Sequence, residues 1–126
     1  YAGSQDQANL AVAVGESAGA NSQGLQATAI GDNAGAEVQA TLAVALGSQA
    51  GQYEQGAAAV AIDALAGNAN QAANSIVINA TGVALENTTA DTCVVKPIRT
   101  SGVGPPGAGY GTLAYHIASG EIVYYT

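Results

Sequence analysis

Leu10-Ala-Val-Ala-Val-Gly15 returns as Gln26-Ala-Thr-Ala-Ile-Gly31, Leu42-Ala-Val-Ala-Leu-Gly47, Ala58-Ala-Val-Ala-Ile-Asp63 and Asn74-Ser-Ile-Val-Ile-Asn79, each copy 16 residues after the last. Two further columns keep the same step. One is Gln7, Gln23, Gln39, Gln55 and Gln71. The other is Gly3, Gly19, Gly35, Gly51 and Gly67, each preceded by Ala. Three columns in a common register over five copies define an internal repeat. One supersecondary unit per 16 residues, stacked on its neighbours, is a solenoid.

Alanine is the best helix former, so a helix is the first rival. The alternation excludes it. Within a copy Val12 and Val14 fall on one side and Ala11 and Ala13 on the other, a period of two carried mostly by β-branched residues. Each glycine would also weaken a helix by about 1 kcal/mol. The expected coil is a short strand, a turn, a second short extended stretch and another turn. Gly15, Gly31 and Gly47 give way to Asp63 and Asn79, which points to a turn with positive φ, where Asp and Asn are tolerated. Five coils about 4.8 Å apart give a rod of roughly 24 Å.

The composition fits a narrow coil and little else. Of 126 residues 29 are Ala and 17 Gly, with no Phe, Trp or Met and only 7 Leu, 7 Ile and 11 Val. The large side chains of a conventional core are missing. A lone Cys93 excludes a disulfide scaffold, and one Cys with one His cannot furnish a zinc ligand set. A net charge of −7 with two basic residues disfavours nucleic acid. No apolar run approaches the ~20 residues of a membrane span, so neither membrane insertion nor a signal peptide is expected from this stretch. A start at Tyr1 reads as a fragment or a processed product.

Both faces of the repeated strand are apolar. The outer members of each copy form two columns of larger residues: Val12, Thr28, Val44, Val60 and Ile76, then Val14, Ile30, Leu46, Ile62 and Ile78. The alternate columns are Ala apart from Ser75 and Val77. A solvated face would be polar, so both should be covered: one by the coil itself, the other by another copy of the chain. Residue type alone leaves open which is which. The Gln column is expected to stack as an amide ladder inside the rungs, in preference to presenting amides to a glycan.

The strict period ends at Gly82, dividing a repeat region at 1–82 from a C-terminal β region at 83–126. The latter holds a strand at Thr92–Arg99 ending near Pro97, a Gly/Pro-rich loop at Ser101–Gly111, and a β-hairpin over Leu113–Tyr125 with its turn at Ala118–Glu121. Tyr115 and Tyr124 are expected to pair across it.

Little here carries chemistry. The repeats hold Asp6, Glu16, Asp32, Glu37, Glu54 and Asp63, but no column is consistently acidic. A calcium ladder would need carboxylates on every rung. The acids read instead as a solvated, self-repelling surface. A catalytic Cys93–His116 pair would need an orienting third group, and none stands out. Lys96 and Arg99 read as partners for a neighbour's carboxylates. No cofactor and no enzymatic activity are expected.

The Leu-Ala-Val-Ala-Val-Gly-x-x-Ala-Gly unit resembles the head repeat of YadA-type bacterial trimeric autotransporter adhesins, over about residues 1–82. That resemblance implies a left-handed parallel β-roll with three chains around a threefold axis. The stretch Val-Lys-Pro-Ile-Arg99, with the later Leu113-x-Tyr115-x-x-x-x-Gly120-Glu-Ile122-x-Tyr124, resembles the C-terminal region of fibre-like proteins of large algal, chlorella-type viruses. It is also similar to the segment of phage tail fibres that precedes a self-cleaving chaperone, which implies a maturation boundary near Thr126. The resulting expectation is an all-β parallel solenoid of about five 16-residue coils, homotrimeric, followed by a small hairpin-containing domain. It would serve as an attachment part of a viral surface fibre, with host cell-surface glycan as a partner. The alternatives are a passive fibre spacer and the head of an adhesin on a bacterial cell surface.

Overall fold

The structure, a computed structural model, describes residues 1–98 and 112–125. They form strands and turns without a helix. Strands β1 (Val12–Val14), β3 (Thr28–Ile30), β5 (Val44–Leu46), β7 (Val60–Ile62) and β8 (Ile76–Asn79) build one parallel sheet. Its register is the repeat itself: Val12 pairs with Thr28, Thr28 with Val44, Val44 with Val60 and Val60 with Ile76. Strands β2 (Asn21–Gln23), β4 (Glu37–Gln39) and β6 (Tyr53–Gln55) form a second parallel sheet. Isolated bridges from Gln5 to Asn21 and from Tyr53 to Ala69 extend it at both ends. Each 16-residue copy therefore makes one rung of two short strands, and about five rungs stack as a β-solenoid.

Which strand face lines the coil is now plain. Ala29, Ala45, Ala61 and Val77 on the inner side have no exposed surface, and Ala18, Ala34, Ala50 and Ala66 meet them from the facing turn. The core is alanine until Val77 at the end of the repeat, because the turn alanines pack directly against the strand. Gly15 shows the same closeness between rungs. Its φ is +125°, and a Cβ there would lie 2.6 Å from the Gly31 carbonyl oxygen. Either fact alone disfavours a side chain. Asp63 takes this corner with φ 77°, as the sequence leads one to expect. Asn79 does not. It ends β8 with its side chain buried, donating to the carbonyls of Ala64 and Val83 at 3.0 and 2.7 Å.

The sheet does not stop with the strict repeat. β9 (Cys93–Lys96) adds to the edge beside β8, with Ile76 opposite Cys93 and Ile78 opposite Val95. The step is 17 residues here, one more than in the repeat, which hides the rung from a fixed-period reading. Pro97 follows directly and lacks the N–H a further pairing would need. Strands β10 (Thr112–His116) and β11 (Glu121–Tyr125) pair antiparallel, and Gly120, at φ 71°, donates to the His116 carbonyl at 2.8 Å. Tyr115 lies opposite Ile122, and Leu113 opposite Tyr124. The two tyrosines are thus diagonal neighbours across the hairpin in backbone register. Arg99, the Ser101–Gly111 segment and Thr126 lie outside the described residues.

Candidate functional site

Alternation along each strand puts the Ala columns inside, so it must put the larger columns outside. Val12, Val14, Ile30, Ile62, Ile76 and Ile78 are exposed, Val14 by 55 %, and Val44, Leu46 and Val60 are half-buried. Val95 on β9 continues the second column. The outcome is a flat aliphatic stripe running the length of the sheet. Thr28 is its single polar member over β1–β8. A solvated parallel sheet face would not be built this way, and contiguous exposed apolar surface marks an interaction site.

The two flanks of the stripe differ. Beyond the second column stand Gly15, Gly31 and Gly47, then Glu16-Ser17, Asp32-Asn33 and Ser48-Gln49. That flank is a bare shoulder edged with polar side chains. Before the first column, the opposite corner carries Leu10, Leu25 and Leu42, all exposed.

Inside the roll the glutamines make a continuous ladder. The Nε2 of Gln7, Gln23, Gln39 and Gln55 each donates to the Oε1 of the next glutamine, at 3.0, 3.0, 3.1 and 3.1 Å. Nε2 of Gln23, Gln39, Gln55 and Gln71 also donates to the Val12, Thr28, Val44 and Val60 carbonyls, at 2.8–3.0 Å. Gln23, Gln39, Gln55 and Gln71 are at most 2 % exposed, so these four amides face no solvent ligand. The glycine column is coupled to them: a Cβ on Gly19 would lie 2.7 Å from Cδ of Gln23, and Gly35, Gly51 and Gly67 relate to their glutamines in the same way. Asn87, 16 residues after Gln71, closes the column. One methylene shorter, it turns aside to accept from the Thr92 hydroxyl at 3.0 Å and the Thr89 amide at 3.3 Å. No buried side-chain nitrogen or oxygen among the described residues lacks a partner.

The groups with reactive potential stay apart. His116 Nδ1 accepts from the Ser119 backbone N–H at 3.2 Å and lies 2.8 Å from its hydroxyl, a contact local to the hairpin turn. Cys93 is exposed on β9 and lines a cavity of about 480 Å³ with Asn74, Asp91, Thr92 and Tyr115, a set that does not include His116. Among the described residues no three His, Cys, Asp or Glu side chains come together to hold a metal ion. No helix of the described residues is long and apolar enough to cross a membrane. Comparison with protein-family models, with curated proteins and with solved structures finds no match.

Proposed function

We propose that this chain is a rod-forming part of a homotrimeric fibre on a virion surface, and that the fibre attaches the particle to its host cell. The observation carrying the reading is the outward aliphatic stripe of β1, β3, β5, β7, β8 and β9. Three copies set side by side, stripes turned to a common axis, would bury it. The surfaces left outside would then be the acidic and amide-bearing turns and the second sheet, where Tyr53 is exposed beside its rung partner Glu37. Attachment would work by avidity: three copies multiply weak contacts to cell-surface glycan without a deep pocket. The resemblance of the repeats to adhesin heads, and of the C-terminal stretch to viral fibre proteins, supports both the threefold state and the role.

Sedimentation equilibrium of the full chain across a dilution series tests the assembly. A stable folded monomer at all concentrations sinks it. Glycan-array binding tests attachment. A second reading, a passive spacer that only sets fibre length, is favoured by the strict register from β1 to β8 without an inserted loop. Silence on the array with an intact trimer supports the spacer. A bacterial cell surface is the alternative location, with the same assembly.

A further inference from the structure

The stripe is too small to hold copies together alone. Six strands about 4.8 Å apart, each about 10 Å long, project roughly 290 Å². A specific interface takes about 800 Å² from each partner. Even doubled for side-chain relief the stripe falls short, so further surface must join it. One adjoining patch is apolar and exposed at a corner where every coil takes left-handed backbone, Gln26 at φ 58° and Ala58 at φ 53° included. Leu10 and Leu42 both sit at φ 62° and are 76 % and 53 % exposed. Left-handed backbone costs a residue with a Cβ roughly 1–2 kcal/mol. The same position holds Asn74 at φ 55° in another coil, a residue that tolerates this conformation and solvent alike. Leu25 is exposed beside Leu42, whose N–H donates to the Leu25 carbonyl at 3.0 Å.

The leucines and the bare shoulder end together. Coils with Leu10, Leu25 and Leu42 carry Gly15, Gly31 and Gly47 on the opposite flank. In the next coil the corner is Ala57-Ala58 and the shoulder is filled by Asp63. Parallel copies closed into a ring join unlike flanks, the corner of one to the shoulder of the next. Resting on the assembly proposed above, we infer that Leu10, Leu25 and Leu42 are the second half of the contact. They seat over Val14, Ile30 and Leu46 of a second copy, in the room its shoulder glycines leave. The occupant of the shoulder is thus another copy of this chain, and the first three coils clamp harder than the last two.

Two variants test this in the full chain. Leu10→Asn with Leu42→Asn keeps the coil folded by circular dichroism, because Asn74 already lives at that backbone angle. It raises the concentration at which the assembly dissociates by about tenfold or more per leucine lost. Leu42→Cys with Leu46→Cys, in a Cys93→Ser background, places the two thiols about 13 Å apart within one chain, too far for a disulfide. Oxidation with diamide then links copy to copy and yields covalent oligomers on a denaturing gel. An assembled wild type whose variants neither dissociate more easily nor cross-link overturns the corner contact alone. A wild type that stays monomeric overturns it together with the assembly.

Discussion

The inner and outer surfaces of the main sheet are made from the same short strands and obey opposite rules. Inside, Ala29, Ala45 and Ala61 have no exposed surface. Outside, Ile30, Leu46 and Ile62 are the largest side chains of their strands and stay half-buried or exposed. In an ordinary domain the large residues would be inside. Here the order is inverted because rung closure, not burial of area, fixes what fits: the turn alanines pack directly against the strand. The chain's own core therefore contributes little apolar area, and backbone ladders with the buried amides hold the rungs. The surface that would yield the most on burial is left for another molecule.

The sharpest way to break this contrast is to enlarge the inside. Ala45→Leu adds three carbons where no surface is exposed, and overpacking of this kind costs about 3 kcal/mol. We expect it to unfold the central rungs, seen as loss of the cooperative transition in chemical denaturation. A single chain that accommodates it with unchanged stability would show that the roll is not closed as described.

The amide ladder tests the inside by charge. Gln39→Glu keeps the shape and, while protonated, one O–H donor. Ionised, it faces the Gln55 Oε1 and the Thr28 carbonyl, both acceptors. Burial raises the folded-state pKa of the new carboxyl above the usual ~4.3. The sign follows. Stability is fully present below the unfolded pKa and is lost as pH rises through the raised folded value. The variant should be most stable near pH 4, below wild type by the one donor the carboxyl lacks, and lose about a further 2–3 kcal/mol by pH 7, where wild type shows no such decline. Equal melting at both pH values would place the Gln39 amide in contact with water.

Much of the fold is legible in the repeat, because strict columns can only mean identical rungs. Reading the Gln column as a ladder rested on the same logic, and the buried amides stack in that way. The orientation of the strand was not legible. Ala and Val are both apolar, and only the packing of the facing turn tells which lies inside. The strand within Thr92–Arg99 is legible; its place as the sixth strand of the main sheet is not, for a different reason. One extra residue shifts Cys93 to a 17-residue step from Ile76, although Asn87 keeps the 16-residue step from Gln71 and was the available signal. Asn79 was misplaced because a residue suited to positive φ is equally suited to a buried hydrogen-bonding site. The asymmetry of the flanks, Leu on one and Gly on the other, stood in the sequence. It acquired meaning only once the stripe between them faced outward.

At the end of the roll the inside rule relaxes, which gives a smaller effect. Asn87→Ala removes the acceptor of the Thr92 hydroxyl and the Thr89 amide, a loss of about 1–2 kcal/mol. The damage should stay local. Hydrogen exchange is expected to show faster exchange in β8 and β9, with β3 and β5 unchanged. Uniform loss along the roll would mean that the last rung is as cooperative as the central ones.

The smallest effect on a single chain belongs outside. Ile62→Thr lies one residue from Ala61 and swaps an exposed aliphatic for a β-branched residue of like strand propensity, as at Thr28 in the neighbouring column. In dilute protein the folding free energy should move by no more than about 0.5 kcal/mol. Ala61→Leu, its immediate neighbour, should behave like Ala45→Leu. The same Ile62→Thr substitution should weaken the assembly, because polar surface then replaces apolar surface in the buried stripe. A change in sedimentation without a change in single-chain stability separates the two faces by measurement. If Ile62→Thr instead unfolded the isolated chain, the outer column would be part of the chain's own core, and the inversion drawn from Ala61 and Ile62 would be wrong.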